Sequence, residues 1–377
     1  MERFKARLNQ APDPREDFLD TSAYWFVAQK LDAFDPASGL GALSWVRHRR
    51  KPRVAFRHMT LPVEAVESWE FPPVYSEPKS LPFELSFVNA RTLRLRLRSR
   101  AGSFDNAPSL MLAGEVPASN AWKAKTEQDG WSWTGPNGSV RMAKDPWSIE
   151  VRDLAGKVLL KTHTLKDGKC MITGRPVPFS FVQRAQDVGQ GVAASFRLFP
   201  DEKIYGCGES FSSLDKRGQA VSLWTQDSHG SQTDEMYKPV PFYLSSRGYG
   251  VFVHGSSPMT FDFGQAYHDT QVLYNGDDSL DMFVFLGGPA EVLGEYTALT
   301  GRSPMPPLWS FGLWMSRITY ESEAQTRDVA AKLQKHRIPC DVIHLDTGWF
   351  ETDWCCDYRF AKERFKDPEK MIRDLKG

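Results

Sequence analysis

Asp346 closes the short apolar run DVIHLD and is followed at once by Thr347, Gly348 and Trp349. An ionised carboxylate at a strand end accepts hydrogen bonds from two adjacent hydroxyls. A neighbouring indole offers a flat apolar face. Together they suit a polyhydroxylated ring, so the stretch points to a sugar pocket. The plainer roles are a loop cap for Asp346 and either pocket wall or core for Trp349. Other chemistries fit less well. Cys355 and Cys356 are adjacent, without the CxxC spacing or a matching histidine cluster, so neither a metal site nor a cofactor is expected. Acid–base work by a histidine needs a converging carboxylate. His229, His254 and His268 fall in strand or turn contexts with no acid partner visible in the sequence.

The bulk composition narrows the partners further. Lysine plus arginine and aspartate plus glutamate each total 47, so the chain has no net charge to draw it to nucleic acid or an anionic membrane. No stretch approaches the run of about eighteen apolar residues that a membrane span needs. The amino terminus, MERFKARLNQAPDPRED, has no apolar core of a secretory signal. Five cysteines are an odd number for a disulfide framework, and a reducing cytoplasm is the expected location.

At 377 residues the chain is long enough for two domains. From about residue 20 to 300 the apolar period is two. RTLRLRLRSR (91–100) alternates Leu93, Leu95 and Leu97 with Arg94, Arg96 and Arg98, which reads as a half-buried strand with a solvated basic face. WSIEVRDL (147–154), KVLLKTH (157–163), AASFRLF (193–199), PFYLSS (241–246), GVFVHGS (250–256) and MFVFLGG (282–288) are further strands. Turn signals at 137–138, 166–168, 247–250 and 275–278 separate strands of this kind. Such a run of short strands predicts a large antiparallel β-sandwich over residues 1–300.

Beyond SPMPPLW (303–309) the rhythm changes. FGLWM (311–315) reads as a strand. Ser322 and Gln325 form a capping box before a helix with Val329, Ala330 and Leu333 on its inner stripe. DVIHLD (341–346) is a second buried strand. Asp367-Pro368 starts another helix with Met371, Ile372 and Leu375 on its apolar face. Strand, helix, strand, loop and helix open a parallel β/α architecture over 301–377. Asp346 then lies at the carboxyl end of its strand, where α/β barrels place their active-site groups.

These residues carry a family resemblance. SPMPPLWSFGLWMSR, IPCDVIHLDTGWF and WCCDYRFAKERFKDPEKMI resemble the start of the barrel in glycoside hydrolase family 31. IYGCGESFSSLDKRG, LWTQDSHGSQTDEMYKPVPFYLSSRGYGVFVH and YTALTGRSPMPP resemble its amino-terminal domain, so the likeness runs from about Ile204 to Gly377. The resemblance implies a mainly β fold: a galactose-mutarotase-like β-sandwich followed by the first two β/α units of a (β/α)8 TIM barrel. It implies a retaining α-glycosidase acting on α-linked oligosaccharides, more similar to α-xylosidases than to α-glucosidases. On its pattern, Asp346 binds hydroxyls of the sugar being cleaved and Thr347 and Trp349 line the same pocket. Ile318 lies against that sugar or is ordinary packing. Asp227, in WTQD, reaches toward the neighbouring subsite or is a turn residue, and Asp357 holds its loop.

The same family places its nucleophile in a K-x-D-x-x-E-like segment on a later barrel strand, and no such segment occurs here. A barrel takes about 250 residues. Pro307 to Gly377 supplies 71. The catalytic pair is therefore expected beyond Gly377, and Asp353 and Asp357 do not substitute for it. The alternatives are a non-catalytic carbohydrate-binding sandwich, a mutarotase-like enzyme, or α-glucosidase rather than α-xylosidase specificity. Uncovered helix faces such as Val329/Leu333 and Met371/Leu375 are expected either to dock on the sandwich or to favour homo-oligomers.

Overall fold

The structure, a computed structural model, describes residues 11–19, 24–48, 80–163, 178–183, 190–228, 230, 233–352 and 354–376. His229, Asp353, Cys170, Gly377 and the turn at 166–168 lie outside the described residues. The chain separates into two compact units, Met1–Arg302 and Ser303–Gly377.

The first unit opens with a short helix, α1 (Arg15–Leu19), then strands β1 (Tyr24–Phe34), β2 (Leu40–His48), β3 (Leu81–Phe87) and β4 (Thr92–Arg98). A five-stranded meander follows: β5 (Lys123–Glu127), β6 (Gly130–Gly135), β7 (Gly138–Lys144), β8 (Trp147–Arg152) and β9 (Val158–Lys161). Next come β10 (Ser180–Gln183), β11 (Gln190–Arg197), β12 (Ile204–Glu209), β13 (Ala220–Leu223) and β14 (Lys238–Ser245). The unit's last strands are β15 (Tyr249–Val253), β16 (Met259–Phe263), β17 (Thr270–Asn275) and β18 (Ser279–Leu286), followed by helix α2 (Pro289–Thr300).

Apart from the meander, these strands form one sheet in the order β12-β14-β15-β18-β4-β3-β2-β1-β10-β11-β17-β16-β13. The sheet doubles back on itself, because β11 touches β18 and β13 touches β14 across the fold. Between its two layers, and under the meander, lies one core containing Phe83, Leu93, Leu95, Leu97, Trp147, Phe196 and Phe261. Each of these points inward from its strand, as an apolar period of two requires. Helix α2 was not visible in the two-residue rhythm. Its only fully buried side chain is Val292, which packs with Phe242, Phe252, Phe283 and Phe285 on the outer face of the sheet.

The basic face of β4 is not solvated. Arg94 and Arg96 are each 7% exposed. Arg96 pairs with Glu84, directly opposite on β3, and also donates to Asn106 Oδ1 at 2.7 Å. Arg94 makes a bidentate pair with Asp281 of β18, at 2.7 and 2.5 Å. The segment after β4 covers both: Phe104 lies under the Arg96 guanidinium, and Met111, Leu112 and Val116 join the α2 cluster. A face of arginines is buried here because acidic partners came with it.

In the second unit, Leu308–Phe311 is a 3₁₀ turn, so the strand expected at 311–315 starts later as β19 (Trp314–Arg317). Helix α3 (Glu323–Lys335) is capped by Ser322, whose hydroxyl accepts from the Gln325 amide at 3.2 Å. The Gln325 side chain reaches back one residue beyond the cap and accepts from the Glu321 amide at 2.7 Å. Strand β20 (Val342–Leu345) pairs parallel with β19. Helix α4 (Pro368–Lys376) is capped by Asp367, which accepts from the Lys370 amide at 2.9 Å.

β20 is only partly buried, not the buried strand that its apolar run suggests. Helices α3 and α4 stand off from the strands and leave a cavity of about 1060 Å³ lined by Ala330, Leu333, Ile343, Leu345, Met371 and Leu375. Ile372 and Leu375 remain 52% and 41% exposed.

Candidate functional site

The parallel register pairs Arg317 with Leu345 as the last matched residues of β19 and β20. Ile318 and Asp346 are the next residue on each strand, so two chain segments deliver them side by side at the same carboxyl end. Ile318 is 73% exposed there.

Asp346 turns the chain. Its backbone is extended, and its Oδ1 accepts from the Thr347 amide at 2.7 Å, starting the 3₁₀ turn Thr347–Trp349. The cap role is thus real, but it uses one carboxylate oxygen. Among the described residues Oδ2 has no protein donor. A half-engaged carboxylate on a rigid strand end is what a hydroxyl-bearing ligand needs.

Thr347 is buried, with its hydroxyl 3.5 Å from that of Thr319. Gly348 explains the close fit: a Cβ there would overlap Thr319 Cγ2 and sit 3.1 Å from the Tyr320 carbonyl oxygen. These two residues lock the β19 loop, which carries Ile318, against the β20 turn, which carries Asp346. Trp349 is half-buried, its ring 4.3 Å from Phe350 and 4.7 Å from Phe360. It is both part of a small aromatic core and a border of the strand end.

The loop beyond is held from several sides. Phe350 and Phe360 form a bridge, the Glu351 amide donates to Arg359 O at 2.8 Å, and Arg364 donates to Gly348 O and Phe350 O. Asp357 accepts from the amides of Arg359 and Thr352 at 3.1 and 3.0 Å, and these bonds hold its carboxyl below the usual range. Asp357 is a loop clasp, as its context implied. Trp354, Cys356 and Tyr358 all adopt left-handed backbone angles, with φ of 59°, 46° and 54°. Sequence reasoning passed over Trp354 and Tyr358. Two aromatics flanking an acidic turn, in WCCDY, were the available signal.

Asp227 belongs to the first unit, exposed in the loop after β13. That loop is tied by a parallel bridge between Thr225 and Met236. It borders a cavity of about 350 Å³ lined in part by Trp224, Met111, Pro239 and Met259.

His254 does have an acid partner, contrary to the sequence reading. Its Nδ1 lies 2.9 Å from Asp281 Oδ2 and its Nε2 lies 2.8 Å from Ser109 Oγ. Both ring nitrogens are therefore occupied within the protein, and Asp281 already serves Arg94. This is a structural relay and not a sugar-facing acid–base pair. His268 is exposed in a turn.

Comparison with known proteins agrees with this geometry. Residues 82–262 match the glycosyl hydrolase 31 N-terminal galactose mutarotase-like domain, and residues 303–377 match the glycosyl hydrolases family 31 TIM-barrel domain. The α-xylosidase XylQ of Lactiplantibacillus pentosus is 42% identical over 178 residues, covering 46% of this chain and 23% of XylQ. Alpha-glucosidase 2 of Bacillus thermoamyloliquefaciens is 31% identical over 254 residues, covering 64% of this chain and 29% of its own length. Among solved structures, the Flavobacterium johnsoniae GH31 dextranase FjDex31A complexed with glucose has a TM-score of 0.71 at 23% identity, covering 93% of this chain and 37% of the dextranase. The last likeness shows the fold. The chain spans about a quarter of the length of the curated relatives it matches. Two models of one family, in order and over both units, are the decisive finding: the chain belongs to glycoside hydrolase family 31.

Proposed function

We propose that this chain is the amino-terminal part of a retaining α-glycosidase of α-xylosidase-like specificity, acting on α-linked oligosaccharides. Its second unit supplies the first two β/α units of the catalytic barrel. The observation that carries this reading is Asp346, one residue past the parallel register of β19 and β20, with Oδ2 open to a ligand.

In this role Asp346 accepts hydrogen bonds from hydroxyls of the sugar being cleaved, Ile318 and Trp349 shape the apolar border, and Thr347 fixes the turn. Asp227 is assigned to the neighbouring subsite by the family resemblance alone. The reaction itself needs two carboxyl groups about 5 Å apart, one as nucleophile and one as acid/base. The 377 residues contain no K-x-D-x-x-E-like segment to supply them. On this reading the polypeptide binds and orients a glycoside but does not turn it over. An α-glucosidase specificity is the second reading, favoured by the relative of that name, which matches the longer stretch of chain.

Saturation-transfer NMR with methyl α-xyloside and methyl α-glucoside tests the site and the preference together. Transfer to the ring protons that disappears in Asp346→Ala is expected, stronger for the xyloside. Equal transfer in the variant removes Asp346 from the pocket. Hydrolysis of 4-nitrophenyl α-xyloside should stay at the buffer rate. Turnover abolished by mutating an aspartate of this chain would overturn the non-catalytic part.

A further inference from the structure

The relay of Asp281, His254 and Ser109 is not sugar-facing, but its order of bonds is one that activates a hydroxyl. Asp281 Oδ2 lies 2.9 Å from His254 Nδ1, and His254 Nε2 lies 2.8 Å from Ser109 Oγ. An ionised carboxylate only accepts, so the imidazole proton sits on Nδ1 and the Nε2 lone pair meets the serine hydroxyl. Carboxylate, imidazole and hydroxyl in that order make a nucleophilic triad, which is recognised by geometry and not by place in the chain.

Separate segments converge to build it. β15 and β18 pair antiparallel as far as Val253 and Met282, and the His254 amide continues the ladder by donating to Asp281 O at 2.8 Å. Arg94 fixes the carboxylate with its two bonds. Ser109 comes from the loop after β4, which is tied to α2 where the Ala113 amide donates to Leu299 O at 2.9 Å. The Met111 amide donates to Ser109 Oγ at 3.1 Å, which leaves the hydroxyl proton for His254. His254 and Asp281 keep 18% and 17% of their side chains exposed, so the group is sheltered but reachable. The cavity of about 350 Å³ adjoins it, since Met111 lies two residues after Ser109 and Gly255 directly after His254, and both line that cavity with Leu223, Trp224 and Pro239. Its volume is near the low end for ligand sites and suits a small apolar group.

We propose that Ser109, His254 and Asp281 form an esterase site for esters of small acyl groups, with the acyl group in the cavity beside Met111 and Trp224. Ser109 Oγ attacks the ester carbonyl carbon while its proton passes to His254 Nε2. The bond from that carbon to the alcohol oxygen then breaks, and the proton leaves with the alcohol. Water repeats the sequence on the acyl-serine: it gives a proton to His254, the acid departs, and Ser109 Oγ takes the proton back. The net change is ester plus water to acid plus alcohol. Asp281 supports the imidazolium that forms in each half. The activity is independent of the sugar reading of Asp346.

The full chain should release 4-nitrophenol from 4-nitrophenyl acetate above the buffer rate. Ser109→Ala and His254→Ala should each lose at least about a hundredfold of that excess. A fluorophosphonate probe of the wild type gives a second readout that needs no variant to fold. It should phosphonylate Ser109 with loss of fluoride, as located by peptide mass spectrometry. His254→Ala chains that keep the wild-type urea midpoint should stay unlabelled. Hydrolysis at the buffer rate, a rate unchanged in Ser109→Ala, or a wild-type chain unlabelled at Ser109 overturns the site.

Discussion

Replacing Asp281 with alanine strands Arg94. The Arg94 side chain is 9% exposed, donates two short charge-assisted bonds to Asp281, and lies 5.0 Å over the Phe283 ring. Water has little access to take the carboxylate's place. Removing one partner of such a buried pair costs about 3–5 kcal/mol, whereas replacing both with apolar residues of similar volume is near neutral. Asp281→Ala should therefore lower the stability of the first unit by about 4 kcal/mol, and Arg94→Met/Asp281→Leu should recover most of it. Urea unfolding followed by tryptophan fluorescence reads both. The pH dependence adds a second check. Burial pushes the Asp281 carboxyl up, but Arg94 and His254 outweigh it and leave the group below its ordinary value. A depressed carboxyl contributes stability that is complete above its unfolded value of about 3.9 and is lost as pH falls through the folded value. Wild type should thus lose this share only in acid below about pH 4, and Asp281→Asn should show no such component. A cost of under about 1 kcal/mol for Asp281→Ala, the scale of an exposed pair, would refute the buried-pair argument.

Two further outcomes are open to direct measurement. Gly348→Val should overlap Thr319 and separate the two strand ends, destabilising the second unit by about 1–3 kcal/mol and broadening the Ile318 and Thr347 NMR signals; sharp, unshifted signals would show that the loops are not interlocked. Limited proteolysis should cut first beyond Gly301, where Met305, Leu308 and Phe311 are exposed, and leave a resistant first unit; equal resistance of Ser303–Gly377 would contradict the expectation that the open second unit is the less stable one.

Local features were legible in the sequence because local physics decides them. The Ser322/Gln325 box and the Asp367-Pro368 start are set by side chains within four residues of the backbone they cap. Asp346 was legible for the same reason, since DVIHLD and the glycine after it mark a strand end within one short stretch. The burial of Arg94 was not legible, because its partner lies 187 residues away. An alternating Leu/Arg strand looks the same whether its charged face meets water or a distant aspartate. His254 appeared unpartnered for that reason too. The strand expected at 311–315 slipped because apolar character alone does not distinguish a strand from the 3₁₀ turn that follows Pro306-Pro307. The left-handed backbone at Trp354, Cys356 and Tyr358 was not legible, because such angles at non-glycine residues leave no compositional trace.

The pairing of β4 with β18 also has a consequence in time. During synthesis β4 can pair with β3 as soon as both emerge, but its other edge has no neighbour until β18 has been made. The Arg94–Asp281 separation of 187 residues corresponds to roughly 10–40 s at ribosomal speeds of about 5–20 residues per second. For that interval the nascent chain carries an open edge bearing Leu93, Leu95 and Leu97. The interleaved Arg94, Arg96 and Arg98 act meanwhile as charged guards that oppose strand addition by neighbouring nascent chains. The same arginines thus hold the half-made protein in solution, and Arg94 receives its permanent partner only when β18 arrives.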